Sequence, residues 1–153
     1  DDERIRSALE IAEREGLDFT FEKTKLGDEE YVHPNSVRMT LEMGERRAVL
    51  VGSSLGAGRI LVSEIDGFPV EVHGEYHTIV LVAEDVKGSI ARIATIIAED
   101  GLNVATLRLT RKERGGDAFM VIELDEEPND EALRDIRALP WVRWAYGLVK
   151  VTG

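Results

Sequence analysis

The sequence predicts an α+β protein in two parts. Residues 1–74 should form a helix with an antiparallel or mixed sheet, and residues 75–153 a βαββαβ unit of the ferredoxin-like kind. Three observations predict this. Apolar residues at helical spacing open the chain and recur twice in its second half. Runs of alternating or continuous apolar residues fill most of the remainder. Gly44-Glu45, Asp66-Gly67 and Gly115-Gly116 separate those runs at hairpin spacing.

In the first part, Ile5, Ala8, Leu9 and Ala12, widened by Ile11, predict a helix over 3–15, with Gly16 at its C′ end. Leu17, Phe19 and Phe21 alternate with polar residues, as in a half-buried strand, and 24–30 reads as a charged turn. Strands follow at 37–43 and 46–51, joined at Gly44-Glu45, then at 59–65 and, after an Asp66-Gly67 turn, near 69–73. Composition shifts at His73-Gly74-Glu75. Residues 77–83 read as an apolar strand, and 88–100 as a helix carrying Ile90, Ile93, Ala94 and Ile97, closed by Gly101. A strand at 103–110 leads through Gly115-Gly116-Asp117 to another at 118–124. Asn129 caps a helix over 130–138, with Asp130 and Glu131 in its first turn, and 142–151 is the last strand. Right-handed crossovers put both helices of this half on one sheet face. The other face and the edges are expected to be bare, and dimerisation or docking is the usual remedy.

At 153 residues, 43% hydrophobic and 32% charged, the chain is globular. Its net charge of −11 argues against nucleic acid or an anionic membrane as a partner, since both require basic patches. No apolar run approaches the ~20 residues needed to span a bilayer, and no signal-peptide pattern is visible, so the expected location is the cytoplasm. The chain has no cysteine, which excludes disulfides and any iron–sulfur cluster held by its own thiolates. No spacing of metal ligands is evident.

Two strings carry chemistry. His33-Pro34-Asn35-Ser36-Val37-Arg38-Met39 places an imidazole, an amide, a hydroxyl and a guanidinium close together, as the site of a small zwitterion or carboxylate would. The same string also suits a turn before a strand. Gly52-Ser53-Ser54-Leu55-Gly56-Ala57-Gly58-Arg59 reads as a small-residue loop. It is either an anion nest made by backbone amides or a tight packing loop. It is not a Walker A loop, because Arg59 and Ile60 follow Gly58, and it lacks the dinucleotide fingerprint, because Leu61 takes the last glycine position.

In the second half, Asp85-Val86-Lys87-Gly88-Ser89-Ile90 fills the first strand-to-helix turn and Gly101-Leu102-Asn103-Val104-Ala105 the helix-to-strand turn. A βαββαβ unit with these turns resembles the ACT domain, a regulatory module that binds amino acids where the two turns meet across a dimer interface. The resemblance implies Asp85, Gly88 and Asn103 as effector candidates, and homodimerisation through this half. Lys87 stands where the family pattern has proline.

The two upstream strings, followed by Ile65-Asp66-Gly67-Phe68 and an ACT-like unit, resemble the β subunits of bacterial iron–sulfur-dependent L-serine dehydratases. That resemblance implies that residues 1–74 are an N-terminally incomplete allosteric substrate-binding domain. It implies deamination of L-serine to pyruvate and ammonia with a cysteine-bearing α subunit, whose thiolates hold a [4Fe–4S] cluster that this chain does not ligate. It further implies Asn35, Ser36 and Arg38 as substrate-binding residues. His33, Asn35 and Ser36 become catalytic candidates, and Gly52, Ser53, Ser54, Gly56, Gly58 and Arg59 a subunit contact or anion loop. No activity is expected of the chain alone. The alternative is a stand-alone amino-acid (serine) sensor or a dimerisation module without catalysis.

Overall fold

The computed structural model describes residues 3–26, 33–111 and 113–151. A 3₁₀ turn, Glu3–Ser7, runs into α1, Ala8–Arg14, and neither buries a residue. Gly16, in the left-handed region at φ 82°, ends the helix as its position predicts. Residues 17–26 belong to no strand, which corrects the strand expected at Leu17–Phe21. Alternation places Phe19 and Phe21 side by side, with ring centroids 5.6 Å apart, but no neighbouring strand supplies a ladder. Part of the charged turn expected over 24–30 lies outside the described residues.

Four antiparallel strands form the first sheet: β1 (Ser36–Met43), β2 (Arg46–Gly56), β3 (Arg59–Ile65) and β4 (Phe68–Val72), in the order β1-β2-β3-β4. The turns are two-residue hairpin turns. Ala57-Gly58 and Asp66-Gly67 both have positive φ, the conformation that matches strand twist. Strand β2 is longer than expected. Gly52, Ser53 and Ser54 lie within it, the first two paired with β1 and Ser54 with β3, and the turn proper is only Ala57-Gly58. Small residues are tolerated there because β1 supplies the pairing that the composition alone does not suggest.

The second sheet holds β5 (His77–Glu84), β6 (Val104–Arg111), β7 (Asp117–Leu124) and β8 (Val142–Leu148) in the order β6-β7-β5-β8, all pairs antiparallel. With α2 (Ser89–Glu99) between β5 and β6 and α3 (Asp130–Arg137) between β7 and β8, this is the expected βαββαβ order. The last strand stops at Leu148 rather than 151. Asn129 caps α3 as predicted, its side-chain oxygen accepting from the N–H groups of Glu131 and Ala132 at 2.8 and 2.9 Å. In α2 the buried row is Ser89, Ile93, Ile96 and Ile97. Ile90, expected on the inner face, sits on the neighbouring row and is exposed.

One core lies between this sheet and its helices. Ile79, Leu81 and Ala83 of β5 and Met120, Ile122 and Leu124 of β7 meet Ile93, Ile97 and Ile136 there. The opposite face is not bare. Val80, Val82, Phe119 and Val121 pack against Ile65, Phe68 and Val72 of the first sheet, and Phe68 stacks on Phe119 at 5.1 Å. The face expected to await a partner is therefore covered by β3 and β4 of the same chain. Burying these side chains from water holds the two halves together, at ~1.5–3 kcal/mol for each fully buried large residue.

Candidate functional site

The strand register brings the two motif strings together. Ser36 begins β1 directly opposite Ser53 of β2, and their hydroxyls are 2.7 Å apart. The Ser36 hydroxyl donates to the carbonyl of His33 at 2.5 Å, so the proton between the two serines comes from Ser53. Ser53 is buried, and the carbonyl of Asn35 accepts from the N–H of Ser54 at 2.9 Å. His33 Nδ1 accepts from the backbone N–H of Asn35 at 3.2 Å, which places the ring's proton on Nε2. Pro34-Asn35 thus forms a turn tied at both ends.

This arrangement separates supporting residues from presented ones. Ser36 and Ser53 fix the turn. The exposed Asn35 amide makes no side-chain hydrogen bond among the described residues and is available to a ligand. Arg38, opposite Val51, projects from the same face of β1 as Ser36 and is exposed. The amides of Gly52, Ser53 and Ser54 sit in the β2 ladder, so they do not form an anion nest. Gly56, Gly58 and Arg59 lie at the far tip of that hairpin. Arg59 lines a separate cleft of ≈ 460 Å³ with Leu55, Ile60, His73, Glu75 and Val151.

The ACT-type candidates do not meet within one chain. Asp85 and Gly88 lie before α2 and Asn103 lies after it, ~16 Å apart along an 11-residue helix. Asp85 accepts from Arg111 at 2.6 Å and from the N–H of Gly115 at 3.2 Å. The Gly115 contact first, then the Arg111 guanidinium, holds its carboxyl below the ordinary value. Asn103 donates to Asp125 at 2.5 Å. Both side chains therefore already join loops of their own fold. The motifs did not reveal a clasp between the halves, in which Glu71 of β4 accepts from Arg108 of β6 and from His73 at 3.3 Å. Those hydrogen bonds, from His73 first and then Arg108, lower the Glu71 pKa. Residues 37 positions apart carry no local signal of pairing.

A family model described as the ACT domain matches residues 77–140. The chain is 35% identical over 139 residues to a protein of Bacillus subtilis (strain 168) named "Probable L-serine dehydratase, beta chain", covering 91% of this chain and 62% of that one. It is 32% identical to the "L-serine dehydratase, beta chain" of Peptoniphilus asaccharolyticus, covering 88% of this chain and 60% of that one. A D-3-phosphoglycerate dehydrogenase of Bacillus subtilis is 28% identical across 85% of this chain but 24% of its own length. The chain spans about three fifths of the two serine dehydratase chains. It is a relative of L-serine dehydratase β chains, with an ACT domain of ferredoxin-like order in its second half.

Proposed function

We propose that this chain serves as the β subunit of an L-serine dehydratase, or as part of one, deaminating L-serine to pyruvate and ammonia with an α subunit. The observation that carries the reading is the junction of His33, Asn35 and Ser36 with Ser53 and Ser54 at one end of β1 and β2. The two relatives named as β chains give it a reaction. Arg38 pairs with the substrate carboxylate in bidentate fashion, and the Asn35 amide orients the polar groups on Cα and Cβ. His33 holds a proton at Nε2, the ring atom turned away from the Asn35 N–H.

The chain's own residues do not fit an iron–sulfur cluster. It has no cysteine, and among the described residues no group of three or more His, Asp or Glu could hold a metal ion. The reading assigns the [4Fe–4S] cluster to the α subunit, and what this chain contributes is substrate orientation. The ACT half takes the role of a pairing module. Its outer strands β6 and β8 lie at the two edges of their sheet, and a two-fold partner is what would bring an Asp85 end to an Asn103 end. We place the enzyme in the cytoplasm. No helix among the described residues is long and apolar enough to cross a membrane.

The test is Asn35→Ala in the reconstituted α/β enzyme. Losing a hydrogen bond to a charged substrate costs about 1.5–3 kcal/mol, so serine turnover should fall roughly ten- to a hundredfold with assembly intact. Unchanged turnover would remove Asn35 from the site.

A further inference from the structure

The two outermost strands of the second sheet, β6 and β8, are protected unequally. Strand β6 carries its own charges, Arg108 and Arg111, both exposed. Charged side chains along an edge discourage another strand from pairing there. On and just beyond β8, residues 144–149 read Trp-Ala-Tyr-Gly-Leu-Val, with no charge and no proline. A short uncharged run rich in aromatic and branched side chains is the composition that adds to a neighbouring strand most readily. Tyr146 and Leu148 are 51% and 40% exposed. Arg143 and Lys150 flank the run in sequence, and Arg143 is engaged with Asp117 of β7 at 2.7 Å.

The middle of this run is held by a residue from another element. Arg137, in the last turn of α3, donates from Nε to the main-chain carbonyl of Ala145 at 2.8 Å. Its guanidinium also lies over the ring of Tyr146, 5.9 Å from the centroid, within the range of cation–π attraction. The two partners belong to opposite faces of the sheet. Ala145 pairs with Leu81, whose side chain enters the core beneath the helices, and Tyr146 pairs with Val80, whose side chain faces the first sheet. One side chain from the helix layer therefore reaches across the outer rim of β8. It occupies the rim along which an added strand would have to lie.

We propose that Arg137 guards the β8 edge: it covers the uncharged run at its centre and so keeps a second copy of this chain from adding its own β8 there. Identical uncharged segments stack well on one another, so the strand most readily added is the same run of another copy. The guard's contacts lie wholly within the second half, and the inference does not depend on the enzymatic reading. Global charge acts in the opposite direction. Removing Arg137 makes the net charge of −11 more negative, which by itself increases repulsion between copies. Association on losing this residue is therefore a local effect of the bared edge.

The test follows full-length chains by sedimentation velocity over a range of concentrations, with amide hydrogen exchange measured in the species formed. Arg137→Met keeps the aliphatic stem and removes the donor and the charge. It should shift to larger species as concentration rises, and the amides of residues 144–148 should exchange about tenfold more slowly in them than in wild type. Adding Tyr146→Lys puts a charge on the exposed strand and should restore the wild-type size. Ser53→Ala loses a hydrogen bond in the first half and leaves Arg137 in place, so it separates a bared edge from lost stability. It should keep the wild-type size. Arg137→Met that sediments as wild type at every concentration overturns the proposal. So does equal association of Ser53→Ala, association without slowed exchange at 144–148, or larger species that Tyr146→Lys does not disperse.

Discussion

Asn35 and Ser36 are neighbours in sequence but have different tasks. The Ser36 hydroxyl gives its proton to the His33 carbonyl and receives one from the buried Ser53. Asn35 commits only its backbone to the fold and leaves its amide to solvent. The proposed function therefore gives the ligand-facing role to Asn35 and Arg38, and leaves the serines the task of fixing the turn that carries Asn35. Ser53→Ala removes a part-buried hydrogen bond and leaves Ser36 without its donor. It should lower unfolding stability by about 1 kcal/mol in urea titration. Combined with Ser36→Ala it should cost less than the sum of the two single changes, because both delete the same bond. A fully additive pair would mean that the two hydroxyls do not interact.

Elements were legible in proportion to how locally they are determined. Asn129, followed by Asp130 and Glu131, announces a helix start by itself, and the structure places both cap bonds there. Asn129→Ala should cost about 1 kcal/mol, read as a fall in the thermal or urea midpoint with native activity of the assembled enzyme retained. Turns at Gly44, Asp66-Gly67 and Gly115 were equally legible, because positive φ selects glycine or a short polar residue. The errors came where pairing decides. Residues 17–21 alternate as a strand does but have no neighbour, whereas Gly52-Ser53-Ser54 looks like a loop and is held in β2 by Ser36 and Val37 opposite. The meeting of the two motif strings depends on that register, so no local pattern could disclose the site's geometry.

At the scale of the whole molecule, the coverage of the second sheet had a signal in the sequence that the fold class obscured. Residues 79–83 of β5 and 118–122 of β7 are continuous apolar runs, not alternating ones, as befits strands buried on both faces. The helices cover one face and β3 and β4 the other. Polar contacts then join the halves at their rim, where Glu71 meets Arg108 and His73. The Glu71 pKa lies below its ordinary 4.5 in the folded protein. Its contribution is therefore complete above that value and is lost as pH falls through the lower, folded one. The urea midpoint should drop on going from neutral pH to about pH 3, and Glu71→Gln should flatten part of that decline. If wild type and variant decline in parallel, the clasp does not contribute to docking of the halves.

On the function proposed above, the chain presents polar groups to a substrate and works beside another subunit. The most direct measurement is pyruvate formation from L-serine by the purified chain alone, by a cysteine-bearing α subunit alone, and by the two together. Turnover that requires both is the predicted result. Full turnover by this chain alone, or an α subunit whose rate is indifferent to its presence, would contradict the account.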